Sequence, residues 1–151
     1  MSLRTAPVPP SRTRIWAWAY PSVAIVFLTL DAFWLTWAAD RLYRPALGHL
    51  LAPGFELVPA VLFYLLYVAG MVHFAIAQAV VAGRVAVAAR SGAFLGLLAY
   101  ATYDLTNQAT LSGWPWAVTL ADLCWGTVAT GVSSAVSAWW VLRRSARHAA
   151  R

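Results

Sequence analysis

Residues 94–128 read FLGLLAYATYDLTNQATLSGWPWAVTLADLCWGTV. Two apolar runs flank Ser112–Trp114, a connection too short to be anything but a hairpin turn, and its Ser-Gly and Trp-Pro steps suit one. Each run carries one acid, Asp104 before the turn and Asp122 after it. Placing an acid at membrane depth costs about 2.5–3.5 kcal/mol on insertion scales, so such residues face the interior of a helix bundle and do something there. The stretch therefore predicts two antiparallel membrane helices with one inward acid each.

The rest of the chain follows the same pattern. The run Ile15–Ala39 is interrupted only by Asp31, and Leu57–Ala82 contains no Asp, Glu or Arg. At about 1.5 Å per residue each run is long enough to cross a hydrocarbon core of roughly 30 Å. Four spans are expected, at about residues 15–39, 57–82, 91–111 and 115–142, joined by Asp40–Glu56, Gly83–Arg90 and Ser112–Trp114. The fold expected is an all-α membrane four-helix bundle. Residues 1–14, polar and rich in Pro and Arg, are expected to be a disordered cytoplasmic tail, and residues 143–151 a basic cytoplasmic tail. The first run is too long for a signal-peptide core of about 7–15 residues and ends in no A-x-A site, so it reads as an uncleaved anchor.

Composition agrees. The 151 residues are 62% hydrophobic and 11% charged, against about 25% charged in soluble domains. That shortfall excludes an ordinary soluble enzyme and a disordered chain. The net charge of +6 comes from eleven Arg and no Lys against five acids. These Arg sit at chain ends and in connections, without a basic face interleaved with stacking aromatics, so no nucleic-acid partner is expected. With the N-terminus inside, nine Arg lie inside and two, Arg41 and Arg44, outside. The inside-positive bias therefore predicts that both termini are cytoplasmic. Trp16, Trp18, Trp37, Trp114, Trp116, Trp139 and Trp140 fall near span ends, as an interfacial aromatic belt would.

Depth distinguishes the acids. Asp31 is roughly 12 Å, Asp104 roughly 10 Å and Asp122 roughly 8–10 Å from the outer ends of their spans. Three helices running in alternate directions thus place their acids in one layer of the outer half. Helical spacing aligns Gly92, Gly96, Tyr100, Asp104 and Asn107 on one face, and Asp122, Gly126, Ala129, Ser133 and Ser137 on another. Small residues let membrane helices approach closely, so these faces are expected to meet. Asp31-x-x-Trp34-x-Thr36 and Asp122-x-x-Trp125-x-Thr127 share a pattern in oppositely directed spans. Asp40 and Glu56 lie at span ends and read as solvated.

Two readings of the buried acids stand side by side. They could be neutral and lock the bundle through Asn107, Thr106, Tyr103 or the indoles, or pair with Arg41 and Arg44 folded over the outer mouth. Alternatively they bind a ligand, carry protons or act in catalysis. His73, facing Ala69, Gly70 and Ala77, reads as packed or helix-bridging, and His49 as an exposed loop residue. Cys124, two residues from Asp122, points away from it and reads as a filler. No metal-binding, nucleophile-elbow, P-loop or dinucleotide motif is present, so no metal and no cofactor are expected. The outer connection, with Leu42, Tyr43, Leu47, Leu50 and Leu51, is expected to form a short amphipathic segment on the outer surface or over the acids.

The stretches Asp31-AFWL, LYRPALGHLL (42–51), PAVLFYLLYVAG (59–70), 94–115 and VTLADLCWGTV (118–128) resemble a bacterial family of small predicted inner-membrane proteins, the domain of unknown function numbered twenty-one seventy-seven. YATYDLTN (100–107) is the specific segment, and the likeness covers about residues 20–140. The resemblance implies four spans and marks Asp31, Trp34, Tyr43, Arg44, Tyr103, Asp104, Asn107, Asp122, Trp125 and Gly126 as characteristic positions. It implies no activity. The function expected is that of a bacterial inner-membrane protein in which Asp31, Asp104, Asp122, Asn107, Tyr103, Trp34 and Trp125 bind or transport a small polar or cationic ligand, or protons. One alternative is a lipid- or isoprenoid-modifying enzyme, with Arg41 and Arg44 holding an anionic head group. Another is a structural or assembly subunit. Lipid bilayer and a homodimer are the macromolecular partners expected.

Overall fold

The computed structural model describes residues 11–149. It contains four long helices: α1 (Arg12–Leu47), α2 (Leu57–Ala82), α3 (Val85–Thr110) and α4 (Trp116–Ala149). No strand is present among the described residues. The first three are long and apolar enough to cross a membrane. The helix α4 is more polar because its buried side carries Thr119, Asp122, Thr130, Ser133, Ser134 and Ser137. The helices alternate in direction, so Ser11, Ala149 and the Gly83–Arg84 turn share one end, and the 48–56 and 111–115 connections share the other. We call these the termini end and the loop end. The packing is that of a membrane bundle: large apolar side chains such as Ile25, Phe33, Leu66, Phe94 and Leu120 are exposed around its outside, where lipid would cover them.

The helices overrun the expected spans. α1 begins at Arg12, so residues 12–14 of the expected tail are helical, while residues 1–10 and 150–151 lie outside the described residues. α3 begins at Val85 rather than Ser91, because the break is confined to Gly83 and Arg84: the φ of +63° at Gly83 is the left-handed geometry glycine adopts at helix C-termini, and Arg84 is extended. α4 runs past Leu142 through Arg143 and Arg144, since Arg is a good helix former. Pro21 is tolerated inside α1, as in many membrane helices whose neighbours make good the lost hydrogen bond.

The outer connection was expected to form a short amphipathic segment on the surface or over the acids; Asp40–Leu47 takes the second course, with Tyr43 bonded to Asp122. It continues α1 through a wide π turn at Ala39–Tyr43 and a last turn at Arg44–Leu47. In a straight helix residues nine apart lie on opposite faces and roughly 13 Å apart along the axis. Yet Trp34 Nε1 donates to Tyr43 Oη at 2.9 Å, so the chain past Ala38 bends back over the bundle's loop end. Leu47 is then buried against Trp114 and Val118, with Leu42, Tyr43 and Ala46 alongside, while Leu50 and Leu51 stay exposed.

The α3–α4 hairpin is the tightest pairing in the molecule. A Cβ on Gly92 would lie 2.9 Å from the Thr130 carbonyl oxygen, and one on Gly96 would lie 2.7 Å from the Gly126 carbonyl carbon. The two backbones touch there, as the small-residue faces require. Trp114 is not part of an interfacial belt. It is buried in the turn, where its indole donates to Thr119 Oγ1 at 3.1 Å and its carbonyl accepts from Gln108 at 3.0 Å. At the termini end the arrangement is belt-like: Arg143 lies over Trp139 at 4.2 Å, and Arg144 over Trp18 and Trp140 at 5.2 and 5.1 Å. His73 is exposed, edge-on to Phe74, instead of packed between helices. The wide turn at Val72–Ile76 sets the faces of α2 here.

Candidate functional site

Asp31, Asp104 and Asp122 are buried to 5%, 0% and 5% exposure. They come from α1, α3 and α4, and all three point inward on the loop-end half. Each is held differently.

Asp31 accepts two hydrogen bonds, from Tyr64 Oη of α2 at 2.6 Å and from Trp125 Nε1 of α4 at 3.3 Å. An indole N–H can only donate, so this carboxyl is arranged as an acceptor. Asp122 accepts from the hydroxyl of Tyr43, and that hydroxyl accepts from Trp34 Nε1. Trp34 and Trp125 stack with centroids 4.6 Å apart and planes within 8°. The two D-x-x-W segments therefore serve each other. The indole of Asp122's segment bonds Asp31 directly, and the indole of Asp31's segment reaches Asp122 through Tyr43. Because α1 and α4 run in opposite directions, a repeated spacing places each tryptophan beside the other segment's acid.

Asp104 is different. Neither carboxyl oxygen has a hydrogen-bond partner among the described residues. It lies within Coulombic range of Asp122, Tyr43 and Tyr103. Asn107 is half-buried and Tyr103 60% exposed, and Thr106 bonds its own helix backbone. None of these three locks Asp104 as the bundle-lock reading expected.

Arg41 and Arg44 do not pair with the buried acids. Arg44 bonds Asp40 at 2.5 Å, with both side chains about two-thirds exposed. Arg41 bonds the Trp37 carbonyl at 3.3 Å and lies over the Trp37 ring at 5.5 Å. Both are satisfied one turn away on their own helix, where an i, i+4 partner is already in reach. Reaching a membrane-depth acid would mean leaving water.

Between α1, α2 and α3 lies a cavity of about 390 Å³, lined by Asp31, Trp34, Leu35, Tyr43, Phe63, Tyr64, Ala99, Tyr100 and Tyr103. One carboxylate and six aromatic rings are its chemistry. Phe63, Leu35 and Tyr103 are largely exposed and form the side that faces out of the bundle. Gly126 holds Tyr100 in this wall: a Cβ on Gly126 would lie 2.7 Å from the ring's Cε2. Tyr64 was not singled out in the sequence, Tyr43 was marked as a characteristic position only by the family resemblance, and Tyr100 was placed on the Asp104 face without a role. The available signal was a tyrosine hydroxyl within an otherwise apolar span, which needs a polar partner; Tyr64 and Tyr100 both fit it.

Four helices, an apolar exterior and three buried carboxyl groups mark a multi-pass α-helical membrane protein. The chain belongs to the family described as Predicted membrane protein (DUF2177), which it matches over residues 16–139. No curated protein and no solved structure was found to match it.

Proposed function

We propose that this is a multi-pass protein of the bacterial inner membrane that binds a small organic cation, an amine or quaternary ammonium group, in the cavity above Asp31. The observation that carries this reading is the lining: six aromatic rings around one buried carboxylate. Aromatic faces attract cations, by about 2 kcal/mol or more per contact when desolvated, and aromatic cages are the recurring answer to quaternary ammonium ligands. Asp31 supplies the counter-charge. Its size also suits a small ligand, since such pockets run from about 300 to 1,000 Å³. In this reading residues 15–142 are one four-span domain, and residues 1–14 and 143–151 flank it as cytoplasmic segments. Arg12, Arg14, Arg84, Arg90, Arg143, Arg144 and Arg147 cluster at the termini end, against Arg41 and Arg44 at the loop end. The inside-positive bias therefore puts the termini in the cytoplasm and the cavity in the outer half.

The test is thermal stabilisation of the detergent-purified protein by choline and tetramethylammonium, with 3,3-dimethylbutan-1-ol as the neutral isostere of choline. A ligand that binds the folded state alone raises the melting temperature by mass action. Both cations are expected to stabilise the wild type and the neutral isostere to do so far less. Asp31→Asn, which keeps an acceptor oxygen for Tyr64 or Trp125, should lose the cation response at least tenfold, and Asp40→Asn should keep it. Equal stabilisation by the neutral isostere, or an unchanged response in Asp31→Asn, contradicts cation binding and leaves Asp31 a bundle lock.

A further inference from the structure

Asp104 has no part in the cation cavity, which it does not line. It is fully buried, and neither of its oxygens meets a donor or acceptor among the described residues. A buried ionised carboxylate without a partner costs several kcal/mol. The groups around it offer no counter-charge. From α4 comes Asp122, from α1 Tyr43 and, next to Asp122, Asp31, and from its own helix Tyr103. All are acidic or neutral. The two arginines at the loop end, Arg41 and Arg44, are engaged outside with Trp37 and Asp40. Three carboxyl groups thus share one low-dielectric region with no basic side chain among the described residues bonded to them.

We propose that Asp104 is a proton-binding site, with Asp122 its charged neighbour, and that it is coupled to the cavity so that a cation binding beside Asp31 expels its proton. This rests on the cation reading above. The exchange balances in charge: one cation enters the layer, one proton leaves Asp104 for bulk water, and no covalent bond other than that O–H changes. Tyr43 is the physical link. Its hydroxyl donates to Asp122 and accepts from Trp34, and its side chain lines the cavity. A positive charge in the cavity stabilises the carboxylates behind Tyr43, and a proton on Asp104 weakens the negative potential that holds the cation. By linkage the two effects are one coupling free energy seen from either ligand.

The experiment is choline binding to the full chain in detergent from pH 5 to pH 8, with proton release recorded by a pH indicator in weak buffer. The wild type should bind choline more tightly as pH rises, by up to tenfold per pH unit where Asp104 exchanges its proton, and should release protons on choline addition. Asp104→Asn, permanently neutral, should bind at the wild type's low-pH affinity across the range and release none. Asp31→Asn should neither bind nor release. If the wild type binds choline with no pH dependence and no proton release, the coupling is wrong and the cation site stands. A proton release from Asp104→Asn equal to the wild type's also overturns it. If choline does not bind at all, both readings fail together. The wild-type arm decides the matter even if Asp104→Asn fails to fold.

Discussion

Gly96→Ala will lower the melting temperature of the purified protein more than other glycine-to-alanine changes at helix positions outside the α3–α4 seam, while Gly70→Ala will leave it unchanged or raise it. Both glycines lie inside membrane helices, so propensity alone favours alanine at each by about 1 kcal/mol. Their surroundings reverse the sign at one of them. At Gly70 the nearest atom to a new Cβ is Phe74 Cδ2 at 4.0 Å, an ordinary contact. At Gly96 the obstacle includes the backbone of Gly126, which no rotamer change can move. Overpacking of this kind costs typically 1–3 kcal/mol, and here it separates α3 from α4 and with them Asp104 from Asp122. Thermal denaturation of the two variants side by side checks the claim. Equal shifts would mean that the hairpin is looser than the geometry requires.

The second large effect concerns the crossed indoles. Trp125→Leu removes a donor to buried Asp31 and half of the stack with Trp34. Hydrogen bonds to charged groups are worth about 1.5–3 kcal/mol and an aromatic pair about 0.5–1.5 kcal/mol beyond its area. The variant should therefore lose roughly 2–4 kcal/mol of stability by the same principles. Trp125→Phe keeps a ring over Trp34 but no N–H, and should fall between. The cycle with Asp31→Leu isolates the pair: if Trp125 acts on Asp31, the double variant should be more stable than the sum of the singles predicts by about 1–3 kcal/mol. Strict additivity would show that the 3.3 Å contact carries no energy.

Much of this was legible in the sequence. Apolar run length marked α1, α2 and α3, because a membrane helix needs only length and hydropathy to declare itself, and the turn at Ser112–Trp114 marked the start of the more polar α4. The inward acids and the Gly92, Gly96 and Gly126 faces followed from cost and spacing. What the sequence hid were matters of tertiary partnership. Asp40–Leu47 read as an amphipathic segment separate from the first span because Asp, Arg and Pro cluster there, whereas it continues α1 and the π turn lets Pro45 sit in the first turn that follows. Tyr43, Tyr64 and Tyr100 could not be assigned to acids without knowing which helices adjoin. Trp114 looked interfacial by position, yet Gln108 and Thr119 gave it a buried role. The shared D-x-x-W pattern was visible, but its use, each indole serving the opposite segment, depends on α1 and α4 being neighbours.

The inward convergence of the three aspartates is open to direct measurement. Cys124 is exposed, so a Cys124→Ser background accepts single cysteines at positions 31, 104 and 122, and at the outward positions Phe33, Leu105 and Val128 beside them. Photolabelling with a membrane-soluble aryl diazirine in liposomes, normalised to labelling after denaturation, reports which positions face lipid, because its carbene inserts into any side chain it meets and needs no ionised thiol. Asp31→Cys, Asp104→Cys and Asp122→Cys are expected to label at least tenfold less than Phe33→Cys, Leu105→Cys and Val128→Cys. Equal yields within each pair would place the acids against lipid and remove the site.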